Sequence, residues 1–164
     1  MHNDPTSRPQ SPERMPVDLR PTRGPVEYDD LVEVWRQAVV ATHAFLTPED
    51  IEDYRVRLGA QWLPAVELHV AVDADDRPVG FLGMDGNRVE MLFVADRARG
   101  RGVGTRLIEW AASRHPVLEL DVNEQNPSAL AFYESRGFRV VGRSPLDGEG
   151  RPFPLLHMRR NEQG

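Results

Sequence analysis

Cysteine and lysine are both absent from this 164-residue sequence. Without cysteine, the chain has no disulfide bond, no thiolate ligand for a metal and no thiol nucleophile. The 20 residues counted as lysine or arginine are all arginine, so no side-chain amine can form a Schiff base or accept an acyl group. The common phosphate loop GxxxxGK(S/T) needs a lysine and is therefore excluded. Any chemistry must use other groups.

Long hydrophobic runs are missing as well, since no apolar stretch approaches the ~18 residues of a membrane-spanning helix. Residues 1–16 are polar, carry four prolines and lack the apolar core of a secretory signal, which predicts a disordered leader. The formal net charge of −6 disfavours a nucleic-acid partner, because phosphate binding usually shows as a basic surplus. We expect a cytoplasmic protein without a membrane partner, with one domain over residues 17–160 and a tail over 161–164.

Helical and strand-like patterns are mixed along the domain. Apolar residues at helical spacing predict helices over residues 28–45, 48–63, 104–113 and 127–135. Period-two patterns and turn signals predict strands over residues 17–20, 66–72, 79–83, 89–94, 117–122, 138–142 and 153–158. Thr47, with Asp50 three residues later, is a near-variant of the capping box and predicts the start of the second helix. The mixture predicts an α+β, or mixed α/β, fold with helices packed over one twisted sheet.

A glycine-rich loop joins one predicted strand to the next helix. Its glycines alternate over residues 100–104, where backbone N–H groups are free and the helix dipole is positive. Three arginines add positive charge to it: Arg97, Arg99 and Arg101. Glycine could serve only to turn the chain, but three crowded arginines would repel one another without an anion between them. The loop therefore predicts an anion site, and its GxGxG spacing differs from the dinucleotide fingerprint GxGxxG.

Two motifs in this region resemble those of a known family. Arg99-x-x-Gly102-x-Gly104 resembles the R/Q-x-x-G-x-G/A signature of the GNAT superfamily of N-acetyltransferases. The segment 126–138 resembles that family's N-x-x-A-x-x-F-Y-x-x-x-G-F motif. The two stand in the family's order with a helix and a strand between them, and the resemblance covers about residues 17–160. Further segments resemble a small bacterial subgroup whose substrates are mostly unassigned.

The resemblance implies a single GNAT-type domain, with a mostly antiparallel sheet of about six to seven strands and about four helices. It implies that acetyl-CoA is the cosubstrate and that a primary amine attacks its thioester directly. No metal is implied. The cofactor-binding residues that the resemblance implies are Leu92, Phe93, Val94, Arg99, Gly100, Arg101, Gly102, Val103, Gly104, Thr105, Asn126 and Tyr133.

The resemblance also suggests catalytic residues. Tyr133 stands where the family places a tyrosine near the sulfur, and a phenol is protonated at neutral pH, so we expect it to be the general acid. A core aromatic is the alternative for Tyr133, and a simple N-cap is the alternative for Asn126. Glu90 is the leading candidate for a general base and, on a regular strand, faces the same side as Leu92. A solvated or paired charge is the alternative for Glu90.

The acceptor is less constrained than the cofactor. In the family it enters along the first two helices and the final hairpin, where His43 and Phe45 are candidate substrate contacts. His69 and His157 fall on predicted strands and are assigned to packing or the surface. We expect the acceptor to be a small-molecule or peptide amine. Two other functions stay open: a regulatory module that binds acetyl-CoA without turnover, and an enzyme that acts on aminoacyl-tRNA. The sequence is consistent with two oligomeric states, a monomer and a homodimer that pairs through the last hairpin.

Overall fold

The computed structural model describes residues 14–42 and 46–161. His43 and Phe45 lie outside these ranges. Within them the structure has four α-helices and seven strands, as expected from the resemblance. In chain order they are β1 (Asp18–Pro21), α1 (Tyr28–Thr42), α2 (Pro48–Arg57), β2 (Glu67–Val72), β3 (Pro78–Asp85), β4 (Arg88–Val94), α3 (Val103–Arg114), β5 (Val117–Asn123), α4 (Pro127–Ser135), β6 (Arg139–Ser144) and β7 (Leu155–Asn161).

The strands form one sheet in the order β1-β2-β3-β4-β5-β7-β6. Every neighbouring pair is antiparallel except β4 and β5, which are parallel. The predicted mixed fold with a mostly antiparallel sheet is therefore confirmed. β6 is an edge strand on which Val140 and Val141 are exposed, and its pairing with a second copy stays a prediction.

Hydrophobic layers cover both faces of the sheet. On one face, Trp35 of α1 packs in a cluster with Phe81 of β3. On the other face, Leu107 of α3 packs with Leu120 and Met158 from β5 and β7. Complete burial of one such side chain contributes about 1.5–3 kcal/mol. The two layers hold α1 and α3 on opposite faces of the sheet.

The capping box predicted for α2 is present. The backbone N–H of Asp50 donates to Thr47 Oγ1 at 3.1 Å, and the backbone N–H of Thr47 donates to Asp50 Oδ2 at 3.1 Å. The second Asp50 oxygen accepts a hydrogen bond from Arg151 in the β6–β7 loop at 2.7 Å. Arg57 and Glu149 form a further ion pair between α2 and this loop. The loop is thus tied against α2.

None of the helices within residues 14–42 and 46–161 is long and apolar enough to cross a membrane.

Candidate active site

β4 and β5 separate after only two residue pairs, Arg88 with Glu119 and Val89 with Leu120. Beyond them, β4 continues to Val94 without pairing to β5. The main chain of this part of β4 therefore has no strand partner on its β5 side. The separation opens a wedge-shaped gap in the middle of the sheet.

A β-bulge lies where the gap begins. Met84 of β3 pairs with Val89, whereas Gly83 pairs with Met91, so Glu90 has no partner residue on β3. An extra residue of this kind breaks the strict alternation of side chains along a strand. After the bulge, Met91 packs on the α1 face of the sheet and Leu92 on the α3 face.

The expectation that Glu90 faces the same side as Leu92 is wrong for this reason. Glu90 lines a cavity together with Met91, and its carboxylate pairs with Arg88 at 3.0 Å. Leu92 lines a different cavity, on the α3 side. The carboxylate therefore belongs to the face covered by α1 and α2.

The glycine-rich loop lies at the mouth of the gap, directly before α3. Gly102 is the N-terminal flanking residue of α3 and has φ = +85°, a left-handed conformation that suits glycine. Gly100 also has a positive φ, +71°. The first N–H groups of a helix have no acceptor within it, so the start of α3 offers donors and a positive dipole to an anion.

A cavity of about 560 Å³ extends from this loop along the part of β4 that has left β5, and residues of α4 line its other side. All but one of the residues that the sequence implies for cofactor binding line it, and the exception is Arg101. The lining residues implied in advance are Leu92, Phe93, Val94, Arg99, Gly100, Gly102, Val103, Gly104, Thr105, Asn126 and Tyr133.

Arg14 also lines this cavity, although the sequence assigns it to the leader. The backbone N–H of the next residue, Met15, donates to the carbonyl of Arg101 at 3.0 Å. The methylene groups of Arg14 lie over Gly102, with Cγ 3.6 Å from the place where a Cβ would stand. No periodicity or motif marks Arg14, so only the tertiary contact identifies it.

Asn126, the N-cap of α4, and Tyr133 of α4 both line the cavity. The Asn126 side chain caps the helix by accepting a hydrogen bond from the backbone N–H of Ala129 at 3.1 Å. Tyr133 packs edge-on against Phe132 and Phe138, with ring centroids 5.2 and 5.6 Å away. Burial raises the pKa of the Tyr133 phenol, which therefore stays protonated throughout the neutral range.

A second cavity, of about 410 Å³, lies on the α1 face. It is lined by aromatic rings, among them Trp35 and Trp62, and by the carboxylates of Asp85 and Glu90. Phe93 lines both cavities and so marks where they adjoin. Carboxylates beside aromatic faces suit a cationic guest, because both attract positive charge.

His157, assigned from the sequence to packing or the surface, is partly exposed and hydrogen-bonded to two neighbouring strands. On the same face of the sheet as Glu90, its Nδ1 lies 2.5 Å from Asp121 Oδ1 and its Nε2 lies 2.7 Å from Ser144 Oγ. Arg88 donates to the second oxygen of Asp121. The four side chains come from β4, β5, β6 and β7, so no short sequence pattern could have revealed them. His69, by contrast, is buried and stacks on Trp110, with centroids 3.7 Å apart.

Known proteins share this architecture. Residues 38–160 match a family model described as an acetyltransferase (GNAT) domain. Peptidyl-lysine N-acetyltransferase YjaB of Escherichia coli is 42% identical over 147 residues, covering 88% of this chain and 97% of that protein. The solution structure of its apo form has a TM-score of 0.82 at 41% identity, over 88% of this chain and 97% of that chain.

A more distant structure shares the fold. PaiA N-acetyltransferase from Thermoplasma acidophilum, solved in complex with coenzyme A, has a TM-score of 0.71 at 21% identity, over 90% of this chain and 99% of that one.

Proposed function

The chain belongs to the GNAT family of N-acetyltransferases, and on this premise we propose that it moves the acetyl group of acetyl-CoA to a primary amine, with a peptide lysine as the leading acceptor. One observation carries the proposal. The cavity that starts at the glycine-rich loop reaches the gap between β4 and β5 and ends at Tyr133. A ligand with an anionic end and a thioester end fits that order of groups.

The loop would bind the pyrophosphate of acetyl-CoA. Free N–H groups at the start of α3 and the positive end of its dipole face this part of the cavity. Arg99 and Arg14 line the same region and add charge-assisted hydrogen-bond donors. The residues present therefore fit a phosphate-bearing cosubstrate.

The unpaired main chain of β4 would bind the pantetheine arm. Leu92, Phe93 and Val94 line the cavity where β4 has left β5, so their backbone groups on that side are available to a ligand. A backbone N–H there would also donate to the thioester oxygen as it gains negative charge. Fixed donors aimed at a developing oxyanion lower the barrier by about 3–4 kcal/mol each in comparable sites.

Tyr133 would protonate the leaving thiolate. Its raised pKa makes the phenol a weaker acid than tyrosine in water, but the same desolvation makes a thiolate a stronger base. Burial therefore raises the pKa of both the Tyr133 phenol and the thiol, so the proton still passes between groups whose acidities shift together. Asn126 would hold α4, and with it Tyr133, at the cavity by capping the helix.

The acceptor would approach from the opposite face of the sheet. Asp85 supplies negative charge to the second cavity beside Glu90, which pairs with Arg88, and Trp35 and Trp62 supply aromatic surface. An ammonium group on an apolar stem is the guest that these groups favour. The peptidyl-lysine activity named for the YjaB relative supports lysine in particular. Glu90 stays a candidate for the general base.

The test is thiol release from acetyl-CoA across a panel of amines that includes lysine-containing peptides, polyamines and aminoacyl-tRNA, with calorimetric titration of the cosubstrate. We expect tight acetyl-CoA binding and amine-dependent thiol release that is fastest with the peptides. Binding without turnover on any amine would instead indicate a regulatory module, and turnover only with aminoacyl-tRNA would indicate that acceptor. Failure to bind acetyl-CoA would overturn the proposal.

A further inference from the structure

We propose that Asp85 recognises a second positive charge on the acceptor, carried by an arginine or lysine that neighbours the lysine to be acetylated. The inference rests on the proposed function, since it concerns the residues around the acceptor lysine. Three observations carry it: the length of the second cavity, the exposed position of Asp85 at one end of it, and the pairing of the other charges around it.

The second cavity runs along β4 from the β3–β4 turn to the gap in the sheet. Asp85 ends β3 and pairs with Arg88 at the start of β4, whereas Phe93 lines both cavities. The partner of Phe93 on β3 is Phe81, four residues before Asp85. At about 3.3 Å per residue, Asp85 is roughly 13 Å from the end of the cavity at Phe93. The cavity is therefore much longer than one ion pair.

This separation is too long for Asp85 to pair with the ammonium group that reacts. The charged atoms of an ion pair lie within about 4 Å of each other. In the proposed function the reacting nitrogen meets the thioester in the gap, at the Phe93 end. An extended lysine side chain places its nitrogen about 6 Å from Cα, given bond lengths of about 1.5 Å. Asp85 therefore lies beyond the Cα of the reacting lysine, where the side chains of neighbouring residues are found.

The two ends of the cavity differ in exposure. Trp35, which lines the cavity, is 4% exposed, and Phe93 is partly buried. Asp85 is exposed. The buried end suits the apolar stem of a lysine, and the exposed end leaves room for the peptide main chain. Asp85 is thus placed to meet the peptide around the lysine.

Trp62 supplies an apolar wall to the cavity. A π-helical turn, Leu58–Trp62, follows α2 and carries this ring. The Arg57 guanidinium lies over the ring, 5.1 Å from its centroid, and pairs with Glu149 of the β6–β7 loop. Because one cation already lies over Trp62, the ring attracts a second cation less strongly. The ring therefore packs against the lysine stem and leaves the recognition of charge to the carboxylates.

Of the carboxylates that line the cavity, Glu90 is already paired. Arg88 is the strand partner of Asp85, but its guanidinium pairs with Glu90 at 3.0 Å and with Asp121 on β5. Asp85 forms no ion pair within residues 14–42 and 46–161. Its negative charge is therefore left for a ligand.

Kinetics with peptides that contain one lysine test the inference on the full-length chain. The peptides are acetylated at the N-terminus and amidated at the C-terminus, and they carry arginine, glutamine or glutamate on either side of the lysine. We expect arginine to lower KM about fivefold relative to glutamine with kcat little changed, because an exposed pair remote from the reacting atoms contributes to binding alone. The difference should shrink at high ionic strength.

Variants assign this preference to one carboxylate. Asp85→Asn is expected to remove the preference for arginine, and Asp85→Lys is expected to reverse it in favour of glutamate. Asp75→Asn, in the exposed turn between β2 and β3, is the matched control and should keep the preference. Calorimetry should show the wild-type affinity for acetyl-CoA in all three variants, which establishes that they are folded.

The outcomes separate the inference from the proposed function. Equal KM values of the wild-type chain for all the peptides, or a preference for arginine that persists in Asp85→Asn, overturn the inference and leave the proposed function standing. A preference that depends on Asp85 with diamines but not with peptides also overturns the inference, because the second charge then does not belong to a neighbouring residue. A wild-type chain that acetylates no amine overturns both.

Discussion

Glu90 and Leu92, two residues apart on β4, lie on opposite sides of the sheet. The bulge at Glu90 lets one short strand serve two cavities, with Leu92 directed to the side of the glycine-rich loop and Glu90 to the side of α1. A thioester and an amine that enter from opposite faces can then meet in the gap beside β4. Phe93 lines both cavities and forms part of the wall between them.

Replacement of the proposed general acid should affect turnover more than binding. Tyr133→Phe keeps the ring contacts with Phe132 and Phe138 but removes the proton that the thiolate needs. We expect kcat to fall by about 100-fold or more, with the dissociation constant of acetyl-CoA changed by less than about threefold. Steady-state kinetics and calorimetry measure the two. Tyr28→Phe, at the start of α1, is the matched control, and an equal loss there would count against the role of Tyr133.

Gly102, the residue of the loop with a left-handed conformation next to α3, should not tolerate a side chain. At Gly102 φ is +85°, and an alanine in this conformation costs about 1–2 kcal/mol. Relaxation of the loop would withdraw N–H donors from the anion. We expect Gly102→Ala to raise KM for acetyl-CoA by about tenfold while leaving KM for the amine nearly unchanged. Gly148→Ala, where a Cβ meets nothing within 4 Å, is the control. Equal KM values for acetyl-CoA in Gly102→Ala and Gly148→Ala would contradict phosphate binding by this loop.

Arg14 should contribute to cosubstrate binding although it precedes the first strand. It lines the cavity beside Gly102 and brings one more positive charge to the anion site. We expect Arg14→Ala to raise KM for acetyl-CoA by about fivefold, with the difference shrinking as salt screens the exposed charge. Kinetics at low and high ionic strength measure it. Arg139→Ala on the edge strand β6 is the charge-matched control. A salt-independent effect would show that Arg14 acts by packing.

Glu27 should be a main source of acid sensitivity. The buried carboxylate accepts hydrogen bonds from Arg20, Thr22 and the backbone of Arg23. Burial opposes its ionisation, but these bonds outweigh burial and lower the pKa of Glu27 below its usual value. A lowered pKa in the folded state means that the stabilisation is present above about pH 4.5 and is lost as the pH falls further.

Glu27→Gln is therefore expected to reduce the free energy of unfolding by about 2 kcal/mol at pH 7. The difference from wild type should shrink below pH 4.5, because the wild-type carboxylate becomes protonated there. Urea denaturation at several pH values measures both. Glu33→Gln removes an exposed pair with Arg36 and should change stability by about 0.5 kcal/mol or less. A constant difference across the pH range would show that Glu27 contributes through shape alone.

Local signals in the sequence were sufficient for much of the fold. The predicted α4 matches its observed bounds, and α2 begins at Pro48 directly after its capping residue Thr47, as predicted, because the hydrogen bonds of a cap join near neighbours in the chain. The glycine-rich loop could be recognised for the same reason, since its glycines and arginines are adjacent in the sequence. The side of the sheet on which Glu90 lies could not be predicted from neighbouring residues, because the bulge arises from how β4 pairs with β3.

The sequence by itself determined the family, the order of the elements and many of the residues that line the cavity at the glycine-rich loop, because the groups suited to an anion are concentrated at one turn before one helix. Tertiary structure alone brought Arg14 over Gly102 and aligned Ser144, His157 and Asp121 across three strands. These contacts join residues that are at least 13 positions apart in the chain and lie on different elements, so the residue types alone do not predict that they are close in space. Strand order and register decide which side chains become neighbours, and both depend on the packing of the whole sheet.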